Sequence, residues 1–326
     1  MRERTFRNRM IIALVAVLLL LLPVFCGYYV VHIMIFSGIN LITVLGLGLL
    51  IGFSGQVSIG HAAFYGIGAY ASALLTMRLG LSFWIALPIS GIIAGIAGVL
   101  LAIPSLKVAA LYLVMTTIGF SMIVWLIMLQ WSGLTNGPNG IIGIPSPAIG
   151  GFALDSPSKY YYLVLVSALA ALWLMSRIVR SSIGLRLMAI FDQKEAAKAV
   201  GVNTTYFRVL AFVISSIFAG VGGSLYAHYV TFIHPENFDI WVSVIFLVMA
   251  VFGGQRSIPG ITASVVILTF ATEYFRVLGD YRMIGYGVFL AVCMIYFPNG
   301  ISQLKLTPVT RFLGRLFSPG SKNPNP

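Results

Sequence analysis

The chain has 326 residues, of which 59% are hydrophobic and only 9% are charged, and its mean hydropathy is +0.99. Soluble globular domains carry roughly 25% charged residues, so this composition excludes an ordinary soluble protein and predicts a polytopic membrane protein. The formal net charge of +12 is accounted for by membrane topology and contact with anionic lipid, and we infer no nucleic-acid partner.

The chain begins with a basic segment, residues 1–9, followed by an apolar run from Met10. This start resembles a signal peptide but lacks a small-residue cleavage site, and many apolar segments follow, so we interpret it as a retained first membrane helix. A span needs about 20 apolar residues. Hydropathy therefore predicts an all-α, polytopic membrane helix bundle of about ten transmembrane helices, at 10–31, 34–52, 59–77, 84–103, 110–131, 160–177, 207–229, 240–253, 258–276 and 283–297.

Ten crossings place both termini on one side of the membrane, and the distribution of basic residues tests this topology. With these spans, 16 of the 20 Lys and Arg residues lie on the N-terminal side, which predicts that both termini are cytoplasmic. The resulting segments are a transmembrane domain at 10–303, an extracytoplasmic loop at 132–158, a cytoplasmic loop at 178–206 and a cytoplasmic tail at 304–326, whose end we expect to be disordered.

Two Gly-rich segments with matching sequence each follow a span that runs towards the N-terminal side. Phe53-Ser-Gly-Gln-Val-Ser-Ile59 and Phe252-Gly-Gly-Gln-Arg-Ser-Ile258 share Phe, Gly, Gln, Ser and Ile in register. Paired Gly-rich interruptions are typical of repeat-built transporters, in which broken or re-entrant helices line a pathway. The common direction of the two copies indicates a parallel internal repeat.

Several polar side chains lie at membrane depth in and after the first copy. Polar groups are tolerated there if they are buried in protein or line a wet cavity. Gln56, Ser58, His61 and Tyr65 are therefore candidates for the wall of a translocation pathway. The alternative is that they hydrogen-bond to neighbouring helices and serve only packing.

A short polar helix is predicted inside the loop at 178–206. Asp192 and Glu195 have the spacing of a capping box, and Gly201 supplies a stop signal. A helix that lies in the lipid headgroups would normally bury Trp, Phe or Leu, so small residues favour a protein contact over this alternative. The small residues predicted to share one face are Ala196, Ala197 and Val200.

Motifs for catalysis and nucleotide binding are missing. No G-x-x-x-x-G-K-[ST] loop occurs, so we expect no cofactor on this chain and ATP bound by a partner. One enzymatic alternative is an intramembrane serine protease with Ser54 as the nucleophile and His61 or His228 as the base. Because His61 follows Ser54 on the same segment, this alternative is disfavoured.

With these motifs the chain resembles the LivM-type permease subunits of bacterial branched-chain amino-acid ABC importers. The resemblance covers roughly residues 35–303. It is carried by Gly38-Ile-Asn40-Leu, Gly55-Gln-Val-Ser-Ile-Gly-His-Ala-Ala-Phe64, Thr135-Asn-Gly-Pro-Asn-Gly-Ile141, the region 186–205 and Phe297-Pro-Asn-Gly300.

The resemblance implies that Glu195, Ala196, Ala197 and Gly201 belong to a coupling helix that fits a groove in a cytoplasmic ATPase, and Asn40 joins the pathway candidates. It also implies a heteromeric importer in the bacterial inner membrane, with a second, LivH-like permease, ATPase subunits and a periplasmic substrate-binding protein. The chain itself would be a passive permease and not an enzyme.

The resemblance leaves the substrate open, because related systems are associated with urea, amides and aromatic acids as well as branched-chain amino acids. A stand-alone secondary transporter or channel is the alternative from a different class. One departure from the family pattern, Gly-Gly-x-Gly-Ser-x-x-Gly-Pro, lies in the second Gly-rich segment. Here Arg256 stands where a glycine is usual, so the packing of this turn cannot be carried over from the family.

Overall fold

The computed structural model describes residues 19–23, 25–105, 110–254, 256–275, 281, 284–285 and 287–288. These residues form the predicted all-α bundle, with four two-residue strands added at one end. The longer helices are α1 (Tyr28–Gly48), which continues as a π-helix (Leu49–Phe53), α2 (His61–Met77), α3 (Phe83–Ser105), α4 (Ala110–Gln130), α5 (Pro157–Arg180), α6 (Ser182–Asp192), α7 (Lys194–Ala199), α8 (Thr204–Val230), α9 (Ile240–Gly253) and α10 (Ile258–Phe275). A four-residue helix (Ser132–Thr135) and two 3-10 helices (Gly137–Asn139 and Pro235–Phe238) lie in the loops, and the strands are β1 (Ile141–Ile142), β2 (Ala148–Ile149), β3 (Phe152–Ala153) and β4 (Phe232–Ile233).

Seven helical segments in the described part of the chain are long and apolar enough to cross a membrane, and each matches a predicted span. The predicted span at 59–77 corresponds to α2, whose 17 residues reach about 26 Å, a little less than the hydrocarbon core of about 30 Å. Of the predicted span at 10–31 the structure describes residues 19–23 and 25–31, and the predicted span at 283–297 lies largely outside the described residues. The seven segments are Tyr28–Phe53, Phe83–Pro104, Tyr112–Gln130, Pro157–Arg180, Thr204–Val230, Pro235–Gly253 and Ile258–Phe275.

The predicted division between the spans 10–31 and 34–52 is displaced, because the helix is interrupted at Cys26 and Gly27 and not near His32. α1 begins at Tyr28, after the extended backbone of Gly27, and runs through His32 without a break. Hydropathy predicts a break near His32 because its ring is polar. In the structure Nδ1 of that ring lies 2.5 Å from the hydroxyl of Tyr229, and a side chain paired in this way can remain inside a membrane helix.

α8 lies at the centre of the bundle and packs against α1, α2 and α3. Small residues allow the backbones of α8 and α2 to approach closely. A Cβ atom at Gly223 would overlap the carbonyl oxygen of Tyr65, and one at Gly68 would overlap the backbone of Gly220. Larger residues at this crossing would therefore separate the two helices.

The loop end of the bundle is the end at which residues 131–156 and 231–239 lie. There β1 pairs with β4 and β2 pairs with β3, both antiparallel. The Nδ1 atom of His228, near the end of α8, lies 2.7 Å from the carbonyl oxygen of Pro145. The loop predicted at 132–158 is therefore an ordered cover on the bundle.

The turn end is the other end of the bundle, where the first turn (residues 53–59) and the second turn (residues 252–258) lie with α6 and α7. Gly55 and Gly254, which match in register, both have positive φ, at 68° and 91°, a conformation that favours glycine. The matching serines also act alike, since Ser58 Oγ accepts the Gly60 N–H at 3.3 Å and Ser257 Oγ accepts the Gly260 N–H at 3.1 Å.

Candidate functional site: the turn end of the bundle

The short helix predicted in the basic loop is α7, and its C-terminal stop at Gly201 is confirmed. Gly201 has φ +84°, and its N–H donates to the carbonyl oxygen of Lys198 at 3.0 Å. The next N–H, of Val202, donates to the carbonyl oxygen of Ala197 at 3.0 Å. This pair of bonds is a Schellman motif, which satisfies the last carbonyl groups of the helix and turns the chain back towards α8.

The predicted capping role of Asp192 is wrong. Asp192 is the last residue of α6, and α7 begins after Gln193, which makes no side-chain cap. α6 extends this far because Ser181 caps its start and its apolar face is buried at Leu187. A carboxylate is unfavourable at the C-terminus of a helix, and here it pairs with the guanidinium of Arg256 at 2.5 Å.

The small residues predicted to share one face of α7 are divided between its two sides. Ala197 is 4% exposed and packs against the bundle, whereas Ala196 is exposed and Val200 is 79% exposed. Glu195 is also exposed, in the first turn of the helix. α7 is therefore held by one alanine and presents a small apolar side chain with flanking charges to its surroundings.

Arg256 joins the second turn to α6 and to the first turn. Besides its ion pair with Asp192, its guanidinium carbon lies 4.3 Å from the centre of the Phe191 ring, a cation–π contact. Its Nε donates to the carbonyl oxygen of Gly52 at 3.4 Å. Its φ of +64° lies in the region that favours glycine, which accounts for the glycine usual at this position.

Three of the pathway candidates, Gln56, Ser58 and His61, have no exposed surface. Gln56 Nε2 donates to Ser54 Oγ at 2.8 Å and to the carbonyl oxygen of Arg208 at 3.3 Å. Ser58 Oγ accepts the N–H of Gly60, the residue before α2. Gln56 therefore connects the first turn to α8, and Ser58 helps to fix the backbone of this turn.

His61, Tyr65 and Asn40 also contact neighbouring helices. His61 Nε2 lies 2.7 Å from Ser215 Oγ on α8. Tyr65 is 3% exposed and packs in a cluster of aromatic rings from α8, α9 and the segment before α9. Asn40 is half-buried and donates to Thr269 Oγ1 at 3.3 Å, so it links α1 to α10.

Two buried atoms near the first turn, Gln56 Oε1 and His61 Nδ1, have no hydrogen-bond partner among the described residues. A buried polar atom without a partner carries a desolvation cost. If these residues line the translocation pathway, the first turn must move so that their side chains become exposed to the transported molecule. In the conformation described here they lie inside the protein.

The serine protease alternative finds no support in the geometry. Ser54 Oγ donates to the carbonyl oxygen of Leu50 at 2.7 Å and accepts from Gln56. The two proposed bases are engaged elsewhere, because His61 pairs with Ser215 and His228 lies 2.9 Å from Ser72 Oγ. Within the described part of the chain, no cluster of His, Cys, Asp and Glu could hold a metal ion either.

A cleft of about 460 Å³ lies at the loop end, between α4 and the start of α9, and sequence reasoning missed it. Two donors at this cleft have no partner among the described residues: the hydroxyl of Ser121, which is 2% exposed, and the indole N–H of Trp125. Their spacing of four residues on α4 was a signal of a common face, but the opposite wall comes from a distant part of the chain. The lining residues are Ser121, Met122, Trp125, Glu236, Asp239 and Ile240.

Comparison with known proteins identifies the family to which this sequence is similar. Residues 29–297 match the model of a family described as the permease component of branched-chain amino acid transport systems. The chain belongs to this family. No solved structure matches this permease.

The permease is 32% identical over 330 residues to the high-affinity branched-chain amino acid transport system permease protein LivM of Escherichia coli (strain K12), covering 94% of this chain and 76% of that protein. The LivM protein of Salmonella typhimurium (strain LT2) is 33% identical over 296 residues, covering 84% and 68%. The guanosine ABC transporter permease protein NupQ of Bacillus subtilis (strain 168) is 22% identical over 302 residues, covering 88% and 92%.

These findings confirm the resemblance inferred from the motifs. The chain is a membrane-embedded, multi-pass permease subunit of a LivM-type ABC transporter, and it is not an enzyme. Membership of such a transporter implies that ATP hydrolysis belongs to a separate subunit and that a substrate-binding protein is a partner.

Proposed function

We propose that this permease carries branched-chain amino acids from a periplasmic binding protein across the bacterial inner membrane into the cytoplasm. The observation that supports this substrate most directly is the 32–33% identity to two LivM proteins over most of the chain. The relative named for guanosine, NupQ, shares only 22% identity.

The cleft at the loop end supports an amino acid as the cargo. An amino-acid zwitterion needs acceptors for its ammonium group and donors for its carboxylate group. Glu236 and Asp239 offer carboxylate oxygens, and the unpartnered groups of Ser121 and Trp125 are donors.

The charge distribution supports an orientation with the turn end in the cytoplasm, and the predicted ten crossings put both termini on that side as well. The end of α5 and the neighbouring α6 and α7 carry Arg177, Arg180, Arg186, Lys194 and Lys198, and such an excess of basic residues is typical of cytoplasmic segments. α7 then lies where an ATPase subunit can reach it. The loop end, with its cleft, faces the periplasm and the binding protein.

We assign α7 as the helix that docks into the ATPase. Its exposed residues Ala196 and Val200 are small enough for a close protein contact, and Glu195 adds a charge beside them. Ala197 has a different task, because it is buried and holds α7 against the bundle. A second, LivH-like permease completes the membrane part of the transporter in this proposal.

Transport by the assembled complex tests the proposed substrate. The permease, its partner permease, the ATPase subunits and the binding protein are reconstituted in proteoliposomes, and uptake of labelled leucine, guanosine and urea is compared. We expect ATP-dependent uptake of leucine. ATP-driven uptake of guanosine or urea without leucine would refute the substrate, and leucine uptake by this chain alone on an ion gradient would refute the mechanism.

The cleft is tested by the double variant Ser121→Ala with Glu236→Gln in the same complex. Because each change removes one group that a zwitterion would bind, we expect the KM for leucine uptake to rise by about fivefold. The matched control is Ser167→Ala on α5, whose hydroxyl bonds within its own helix to Leu163 and whose loss should leave the KM unchanged. An unchanged KM in the double variant would remove the cleft from the pathway.

A further inference from the structure

We propose that Arg256 transmits movement of α7 to both Gly-rich turns, a role that we call the strut. The proposal rests on the proposed docking of α7 into the ATPase and goes beyond it, because it names the residue through which the movement passes. Arg256 acts as a positioning residue, since it contacts other elements of the permease and not the cargo.

The end of α6 lies between the two turns. A Cβ atom at Gly55 of the first turn would lie 3.2 Å from the Phe191 ring, and Arg256 of the second turn stacks on that ring at 4.3 Å. The neighbouring carboxylate of Asp192 pairs with the same arginine at 2.5 Å. Phe191 thus lies against both turns, and Asp192 pairs with the second.

α6 and α7 are separated by a single residue, Gln193. A push on α7 therefore reaches Phe191 and Asp192 through a short stretch of backbone. Arg256, which contacts both residues, belongs to the second turn, and this turn connects α9 to α10. Its hydrogen bond to the Gly52 carbonyl oxygen also connects it to the end of α1. In this way one side chain links the docking helix to two pairs of membrane helices.

Arg256 is unusual in that a glycine would fit its backbone better, because its φ is +64°. The change Arg256→Gly removes the side chain and relieves the backbone at the same time. The side chains of Arg256 and Asp192 are 33% and 62% exposed, and ion pairs as exposed as these add little stability. A loss of transport in this variant would therefore not come from loss of the fold.

A merely local role is the competing explanation. Arg256 could do no more than neutralise the carboxylate of Asp192 at the C-terminus of α6. In that case Arg256→Lys should behave like the wild type, and Arg256→Gly should not change how ATP hydrolysis drives transport. The strut also requires the stack on Phe191 and the bond to Gly52, which a lysine cannot reproduce together.

The first test measures leucine uptake per ATP hydrolysed in the reconstituted complex. For Arg256→Gly we expect hydrolysis to continue and this ratio to fall by about fivefold, the low end of typical coupling between sites. Arg256→Lys should give an intermediate ratio. A wild-type ratio in Arg256→Gly would overturn the strut.

The second test does not depend on the cargo. In a background of Cys26→Ser and Cys293→Ser, the variant Val57→Cys reports on the first turn through its rate of maleimide labelling, with and without ATP and vanadate. We expect ATP to change this rate when Arg256 is present and to have no effect in Arg256→Gly. An unaltered ATP response in Arg256→Gly would overturn the strut, whereas no response with Arg256 present would count against the proposed docking of α7.

Discussion

The first and second Gly-rich turns have the same backbone plan and different side-chain connections. In both, a glycine with positive φ follows the end of a helix, and a serine hydroxyl accepts an N–H at the start of the next helix. In the first turn, Gln56 is buried and binds Ser54 and α8. In the second turn, Arg256 reaches outward to α6 and to Gly52.

The residues shared by the two turns predict their backbone conformation, but they do not predict which side chains connect the turns to the rest of the protein. The shared Gly and Ser residues are those that the backbone of such a turn requires. Arg256 lies at the position equivalent to Val57, where the two copies differ. The residue that connects the turns to α7 is therefore found outside the shared pattern.

The largest effect is expected from a substitution that breaks the buried contacts of the first turn. Gln56→Glu places a carboxylate at a site with no exposed surface, so we expect the free energy of unfolding to fall by about 3 kcal/mol. The midpoint of thermal unfolding in detergent measures this change. Gln193→Glu, the same substitution at an exposed position before α7, is the control and should have little effect. Equal unfolding midpoints of the Gln56→Glu and Gln193→Glu variants would contradict the burial of Gln56 in the first turn.

A smaller effect tests the backbone plan that the two turns share. Gly55→Ala and Gly254→Ala each place a Cβ atom on a residue with positive φ, which costs about 1–2 kcal/mol of stability. We expect the greater loss at Gly254, whose φ of 91° and ψ of 139° lie near a region that is essentially confined to glycine, whereas at Gly55 the Phe191 ring would have to shift. Gly133→Ala has open space around it and is the control. If both turn variants unfold like this control, the positive φ values are not required.

The smallest expected effect concerns the residue by which the turns differ. In Arg256→Gly, loss of an exposed ion pair worth about 0.2–1 kcal/mol is offset by relief of the left-handed backbone. We expect the free energy of unfolding to change by less than about 1 kcal/mol, as measured by the midpoint of thermal unfolding. A much larger loss would mean that Arg256 holds the fold together, and its transport phenotype would then have a different cause.

Sequence reasoning was reliable where a property depends on consecutive residues. The seven described spans follow from runs of apolar side chains, and the stop at Gly201 follows from the conformational freedom of glycine. The Gly-rich echo likewise predicted two matching interruptions between helices, because positive φ restricts the residue type wherever such a turn occurs.

It failed where the outcome depends on a partner that is distant in sequence. His32 remains inside α1 because Tyr229 binds it, and Asp192 ends α6 and pairs with Arg256 instead of capping α7. Ser121 and Trp125 meet Glu236 and Asp239 only through the packing of α4 near α9. No local pattern contains these contacts, so spacing could not predict them.

The most direct test of the central claim attaches a photo-cross-linker to Val200→Cys in the Cys26→Ser and Cys293→Ser background of the assembled transporter. Val200 is 79% exposed on the docking face of α7, and Ile142, 68% exposed at the loop end, gives the matched control variant Ile142→Cys. We predict that position 200 cross-links to the ATPase subunit and position 142 does not. Cross-linking of the ATPase from position 142, or from neither position, would contradict the assignment of α7 as the helix that receives the force of ATP hydrolysis.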